Sequence, residues 1–211
     1  MAQGEKNLGK QQIAQVLHDL DRQLTKAVRL FIGGGACGIL EYGFQRATGD
    51  IDVMGSVPKI GEFKTAIDNV AQHFQLSADW LNDSSKGYVG FLAPDPLKRA
   101  LPFEDGFEHL QVLLLCRADI VTLKLARGEA VDVQDIAQLV LSNKEQEIIQ
   151  RNVRFMSKHR PDRAQAVEYR MRELGWADTP RIRPEEIENL SALVQYLEQS
   201  GVSVSDSAVA K

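Results

Sequence analysis

The stretch Phe31-Ile-Gly-Gly-Gly-Ala-Cys-Gly-Ile-Leu-Glu-Tyr-Gly-Phe-Gln-Arg-Ala-Thr-Gly-Asp-Ile-Asp-Val-Met54 decides how this chain is read. Gly33, Gly34 and Gly35 follow the apolar run Val28-Arg-Leu-Phe-Ile32, which places them where a strand turns into a helix. Glycine lets a backbone come close to a ligand, and a helix N-terminus behind such a turn favours an anion such as a phosphate. Further along, the side-chain period of two puts Asp50 and Asp52 on one face of a predicted strand and Ile51 and Val53 on the other. Neighbouring carboxylates repel each other. A divalent cation relieves that repulsion, and an all-oxygen site suits Mg²⁺. The stretch therefore predicts a phosphate-binding turn beside a pair of metal-binding carboxylates.

Working outward, residues 1–9 are polar and are expected to be flexible. Apolar residues at Ile13, Val16, Leu17, Leu20 and Leu24 predict a helix over 10–24. A short helix is expected over 35–42 and an amphipathic helix over 59–74, with a turn around Trp80–Asp83 and a short strand over 87–92. Pro94, Pro96 and Pro102 predict a loop, and the apolar run 109–115 a buried strand. The remaining patterns are helical: 118–125, 131–141, 144–155, 161–174 and 184–199. The small, polar residues 201–211 are expected to form a disordered tail. The fold class predicted is α+β: a small mixed β-sheet flanked by helices over 10–143, with a helical C-terminal part over 144–200.

Gly33-Gly-Gly35-Ala-Cys-Gly38 also satisfies the dinucleotide-binding fingerprint, with an acid at a suitable distance in Asp52. The acid of that fold ends its strand, whereas Asp50 and Asp52 open theirs. The link 43–49 is polar where a strand belongs, and the second half of the chain lacks repeated strand–helix–strand units. The order of acids before apolar residues decides against a dinucleotide fold.

The sequence has 211 residues, 44% hydrophobic, with a formal net charge of −4, so it can bury a sizeable core and gives no global electrostatic case for nucleic-acid binding. The local balance differs, because Arg151, Arg154, Lys158, Arg160, Arg163, Arg170, Arg172, Arg181 and Arg183 outnumber the acids around them. That patch reads either as a solvated helix surface or as a track for an RNA backbone. Cys37 and Cys116, in apolar surroundings, read as free thiols of a reducing compartment. No apolar run reaches the roughly 20 residues of a membrane span, and residues 1–6 lack the apolar core of a signal peptide. A cytoplasmic location without membrane association is the expectation.

A glycine turn, a short helix and then Arg46-Ala-Thr48-Gly-Asp50-Ile-Asp52-Val resembles the signature of the DNA polymerase β-like nucleotidyltransferase superfamily, and most closely its bacterial minimal branch with the AbiEii-like toxins. Lys124 followed by Asp132 and Asp135 is similar to a helical pattern of that branch. The resemblance covers residues 30–140. It implies that Gly33, Gly34 and Gly35 touch nucleotide phosphates, and that Arg46 and Thr48 orient the triphosphate or the start of the acidic strand. It further implies that Asp50 and Asp52 are catalytic Mg²⁺ ligands and that Lys124 meets charge developing on the phosphates. The superfamily has a third metal carboxylate on a neighbouring strand. Run 109–115 offers none, and Glu108 at its leading edge is the nearest substitute, ahead of Glu104 and Asp105. The implied activity moves a nucleoside monophosphate from an NTP to an RNA or protein acceptor, in a toxin–antitoxin or defence setting. The alternative is a non-catalytic binding protein on the same fold, an antitoxin or adaptor.

Overall fold

The computed structural model describes residues 7–176. Expectations for 1–6, for the helix over 184–199, for the tail 201–211 and for Arg181 and Arg183 lie outside the described residues. The chain divides into two compact units, Met1–Arg170 and Met171–Lys211.

In the first unit the elements run α1 (Lys10–Gln23), β1 (Val28–Ile32), α2 (Gly34–Glu41), β2 (Ile51–Val57), α3 (Lys64–Phe74), β3 (Leu81–Asn82), β4 (Leu101–Phe103), β5 (Leu110–Leu114), α4 (Arg117–Arg127), α5 (Ala130–Ala137) and α6 (Asn143–His159). A last helix, α7, spans Pro161–Glu173. The sheet order is β3-β2-β1-β5-β4. β1 pairs antiparallel with β2 and parallel with β5, β2 runs parallel to β3, and β4 antiparallel to β5. The mixed α+β architecture with flanking helices is the one the sequence predicts.

β1 lies between two partners, and all but Arg29 of its side chains are buried, as its apolar run requires. Its register fixes the site. Ile32 pairs with Val53 and Phe31 with Gly55, so Met54 is the extra residue of a bulge opposite the glycine turn. At the other end of β5, the buried Asp21 of α1 accepts the amides of Glu108, His109 and Leu110 at 2.7–2.9 Å. Burial alone would raise its carboxyl, but the three amides outweigh that and hold it below the ordinary range.

Several expectations change. Residues 87–92 are not a strand but part of a 3-10 helix over Ser84–Phe91. Three residues per turn put Ser85, Tyr88 and Phe91 on one side, and the Tyr88 and Phe91 rings meet edge to face at 5.4 Å. The expected proline loop contains β4, which tolerates Pro102 because it is an edge strand. The turn around Trp80–Asp83 contains β3, and β2 begins at Ile51, leaving Asp50 immediately before it. Leu8, within the segment expected to be flexible, is buried and exchanges backbone hydrogen bonds with Thr48. α6 packs on α4, and the buried Asn152 accepts from the Ala93 amide while donating to Asp119 and Thr122.

Arg117 at the start of α4 grips Glu145 in the first turn of α6, at 2.6 and 2.9 Å. That bond, working against burial and helped by Ser142, lowers the Glu145 carboxyl from 4.5 to about 2. A depressed carboxyl stabilises the fold above its unfolded pKa and loses that contribution as pH falls through its folded value. Glu145→Gln is expected to cost about 1–2 kcal/mol at pH 7 by denaturant unfolding. Its difference from the unmodified protein should shrink as pH falls from 4.5 towards 2.

Candidate active site

β1 delivers the chain into Gly33, whose amide donates to the Asp52 carbonyl at 2.9 Å, and α2 starts at once. Gly34 has φ 59°, the left-handed region. A Cβ there would run into the Asp52 carboxylate, so glycine is required twice over, for backbone and for space. A Cβ on Gly35 would meet the Arg46 guanidinium at 2.7 Å and the Thr48 hydroxyl at 3.0 Å. Turn and acidic strand are therefore in direct contact. No side chain caps the N-terminus of α2 among the described residues, leaving its first amides for an anion.

Asp52 accepts from the Ser85 hydroxyl at 2.6 Å, and Asp50 accepts from Asn82 at 3.1 Å and from the Thr48 hydroxyl. Burial, and after it the neighbouring Asp52 charge, push the Asp50 carboxyl above its ordinary range despite those two donors. The repulsion between the two acids is thus present in the folded protein. Asp52, but not Asp50, lines a cleft of about 420 Å³, counted with its open mouth, together with Gly34, Met54, Ser85, Tyr88, Ile120, Leu123, Lys124 and Arg127. One wall is the 3-10 helix and the other is α4.

Behind that wall lies a chain of charges. Lys124 donates to Asp132 at 2.9 Å and to Asp135 at 2.7 Å, and it sits 5.3 Å from the centre of the Phe44 ring. Arg46 clasps Asp135 with two nitrogens at 3.0 Å, and Arg127 clasps Asp132 likewise at 2.7 Å. Glu129 adds a third carboxylate, 3.7 Å from Arg127, so the three cations of the chain meet three acids. Burial would raise Asp132, but the bonds from Arg127 and Lys124 hold it low. Arg127 in turn is held charged chiefly by Asp132, with Asp52 among the contributing charges.

The structure therefore brings Asp50, Asp52, Gly33, Gly34, Gly35, Arg46, Thr48 and Lys124 into one neighbourhood, but not all at the cleft surface. Gly34, Asp52 and Lys124 line the cleft; Arg46 and Thr48 stand behind, one tied to Asp135 and the other to Asp50. Lys124 spends two of its three donors on carboxylates. Glu108 is not brought to the pair. β1 and β5 are parallel, with Val28 beside Leu110 and Ile32 beside Leu114, so Glu108 lies off the end of the sheet opposite the glycine turn. The sequence reading missed Ser85, Tyr88, Asn82 and Arg127. The three-residue spacings of Ser85 with Tyr88 and of Lys124 with Arg127 were the available signal.

Among the described residues no group of three or more His, Cys, Asp or Glu side chains is arranged to hold a metal. Mg²⁺ commonly binds through one or two carboxylates plus substrate phosphates and water, so the Asp50–Asp52 pair suits an ion that arrives with a triphosphate. Residues 10–176 match a family described as nucleotidyltransferase of unknown function (DUF6036), and the chain belongs to that family. No curated protein and no solved structure matches the chain. No helix among the described residues is long and apolar enough to cross a membrane.

Removing a partner from the charge chain leaves an uncompensated buried ion, so Asp132→Asn is expected to destabilise the protein by about 3–5 kcal/mol in denaturant unfolding. Asp50→Asn should act in the opposite direction. A carboxyl with a raised folded pKa opposes folding as pH rises through the carboxylate range. The variant should thus melt higher than the unmodified protein in metal-free buffer at pH 7, with the gain vanishing near pH 3.

Proposed function

We propose that this chain is a Mg²⁺-dependent nucleotidyltransferase that moves a nucleoside monophosphate from an NTP to an RNA or protein hydroxyl. We further propose that it belongs to the bacterial minimal, AbiEii-like branch and works in a toxin–antitoxin or defence system. The observation that carries the reading is the contact of the left-handed Gly34 with the Asp52 carboxylate, at the uncapped start of α2. It puts phosphate-binding amides and metal-binding oxygens within one ligand's reach.

In this reading the α2 amides take the phosphates, and Asp50 and Asp52 hold Mg²⁺, which when bound neutralises charge on the attacking and leaving oxygens. Arg127, which lines the cleft, offsets charge that builds as pyrophosphate leaves. Ser85 and Asn82 orient the two carboxylates, and Arg46 and Thr48 lock the turn against the acidic strand. Tyr88, Met54, Ile120 and Leu123 give the apolar wall on which a sugar or base can rest.

The remote position of Glu108 favours a second reading, a nucleotidyltransferase fold that binds without catalysing. Incubation with labelled NTPs, Mg²⁺ and total cellular RNA and protein separates the two. Label transfer is expected, and Asp52→Ala should reduce it by about 10³-fold, the loss of several kcal/mol of charge stabilisation. Calorimetric binding of Mg²⁺–NTP with no transfer would favour the binding protein, and the absence of both would overturn the assignment.

A further inference from the structure

The Ser85–Asp52 contact goes further than orientation. A nucleophile is recognised by a hydroxyl within hydrogen-bond reach of a base that other groups hold in place. Ser85 Oγ lies 2.6 Å from Asp52 Oδ1 and lines the cleft. The strand register, with Ile32 beside Val53, and the Gly33 amide bond to the Asp52 carbonyl fix the base. Gly34 stands on the other side of the same carboxylate, at the uncapped start of α2. Hydroxyl, base and phosphate-binding turn therefore follow one another without an intervening side chain. Ser85 is half-buried rather than sealed in, and its 3-10 segment includes Gly87 and Gly90, whose Cα atoms face open space. That leaves the segment room to adjust by the small distance an attack requires.

We propose that Ser85 is itself an acceptor, so that the protein nucleotidylates its own active-site serine; this rests on the function proposed above. The Ser85 oxygen attacks the α-phosphorus of the bound NTP while its proton passes to Asp52 Oδ1, the oxygen it already contacts, and Oδ2, the oxygen nearest Gly34, would remain for Mg²⁺. A serine–phosphate ester bond forms, the bond from the α-phosphorus to the bridging oxygen breaks, and pyrophosphate leaves with the electron pair. The product keeps the nucleoside monophosphate in the cleft, where it excludes the next NTP.

Intact-mass spectrometry after incubation of the full chain with Mg²⁺ and each of ATP, GTP, CTP and UTP tests this. One nucleoside monophosphate per chain is expected with at least one NTP, located at Ser85 by fragmentation. S85A should abolish the adduct, and S85T, which keeps a hydroxyl, should retain one at position 85. An adduct on another residue that survives S85A would overturn the proposal. Label transfer to external RNA or protein with no mass gain on the chain would overturn self-modification and leave the nucleotidyltransferase reading standing. Neither transfer nor Mg²⁺–NTP binding by calorimetry would remove both.

Discussion

The charge chain Arg46–Asp135–Lys124–Asp132–Arg127 is the constraint on which the rest of the site depends. Arg46 comes from the loop before the acidic strand, Lys124 and Arg127 from α4, and the two aspartates from α5. Lys124, Asp132 and Asp135 are almost wholly removed from water. Such ions are tolerable only when each is met by an opposite charge in good geometry. Because every cation in the chain shares a carboxylate with the next, the loop, α4 and α5 have one joint arrangement. That arrangement sets Arg46 against Gly35 and Arg127 in the lining of the cleft.

A second constraint is space. The Asp52 carboxylate occupies the volume that a Cβ at residue 34 would take, and Gly33 is crowded in the same way by Met54 and Leu115. Two strands and a helix start converge there, and the left-handed Gly34 lets them. The close approach places the Asp52 carboxylate directly beside the uncapped start of α2.

The uneven pKa behaviour of the acids sets Asp50 apart from the carboxylates that hold the fold together. Asp21, Asp132 and Glu145 are all held low by amides or guanidinium groups. Asp50 goes up instead, through burial and the nearby Asp52, with the Asn82 and Thr48 donors and the Arg127 charge only partly answering it. A carboxyl left in that condition has an incentive to take a cation that no structural acid has.

Much of this was legible in the chain. The run 28–32, the glycine turn and the alternating acids gave β1, α2 and β2 and the pairing of turn with acids, because period and turn chemistry are local. The helical stripes gave α1, α3, α4 and α6 within a few residues. The Ser84–Phe91 segment escaped, because an apolar run with two glycines suits a strand or a 3-10 helix equally, and tertiary contacts choose between them. Glu108 was nominated by adjacency along the chain. The direction of β5 relative to β1, a non-local fact, puts it at the wrong end of the sheet.

The sequence by itself determined that a glycine turn and two alternating aspartates lie on one supersecondary unit, since both rest on neighbours in the chain. Only the tertiary structure decided which cations face them. Lys124 and Arg127 reach the cleft while Arg46 stands behind it, and all three are tied to Asp132 or Asp135, because burial forces those charges to pair across three separate elements.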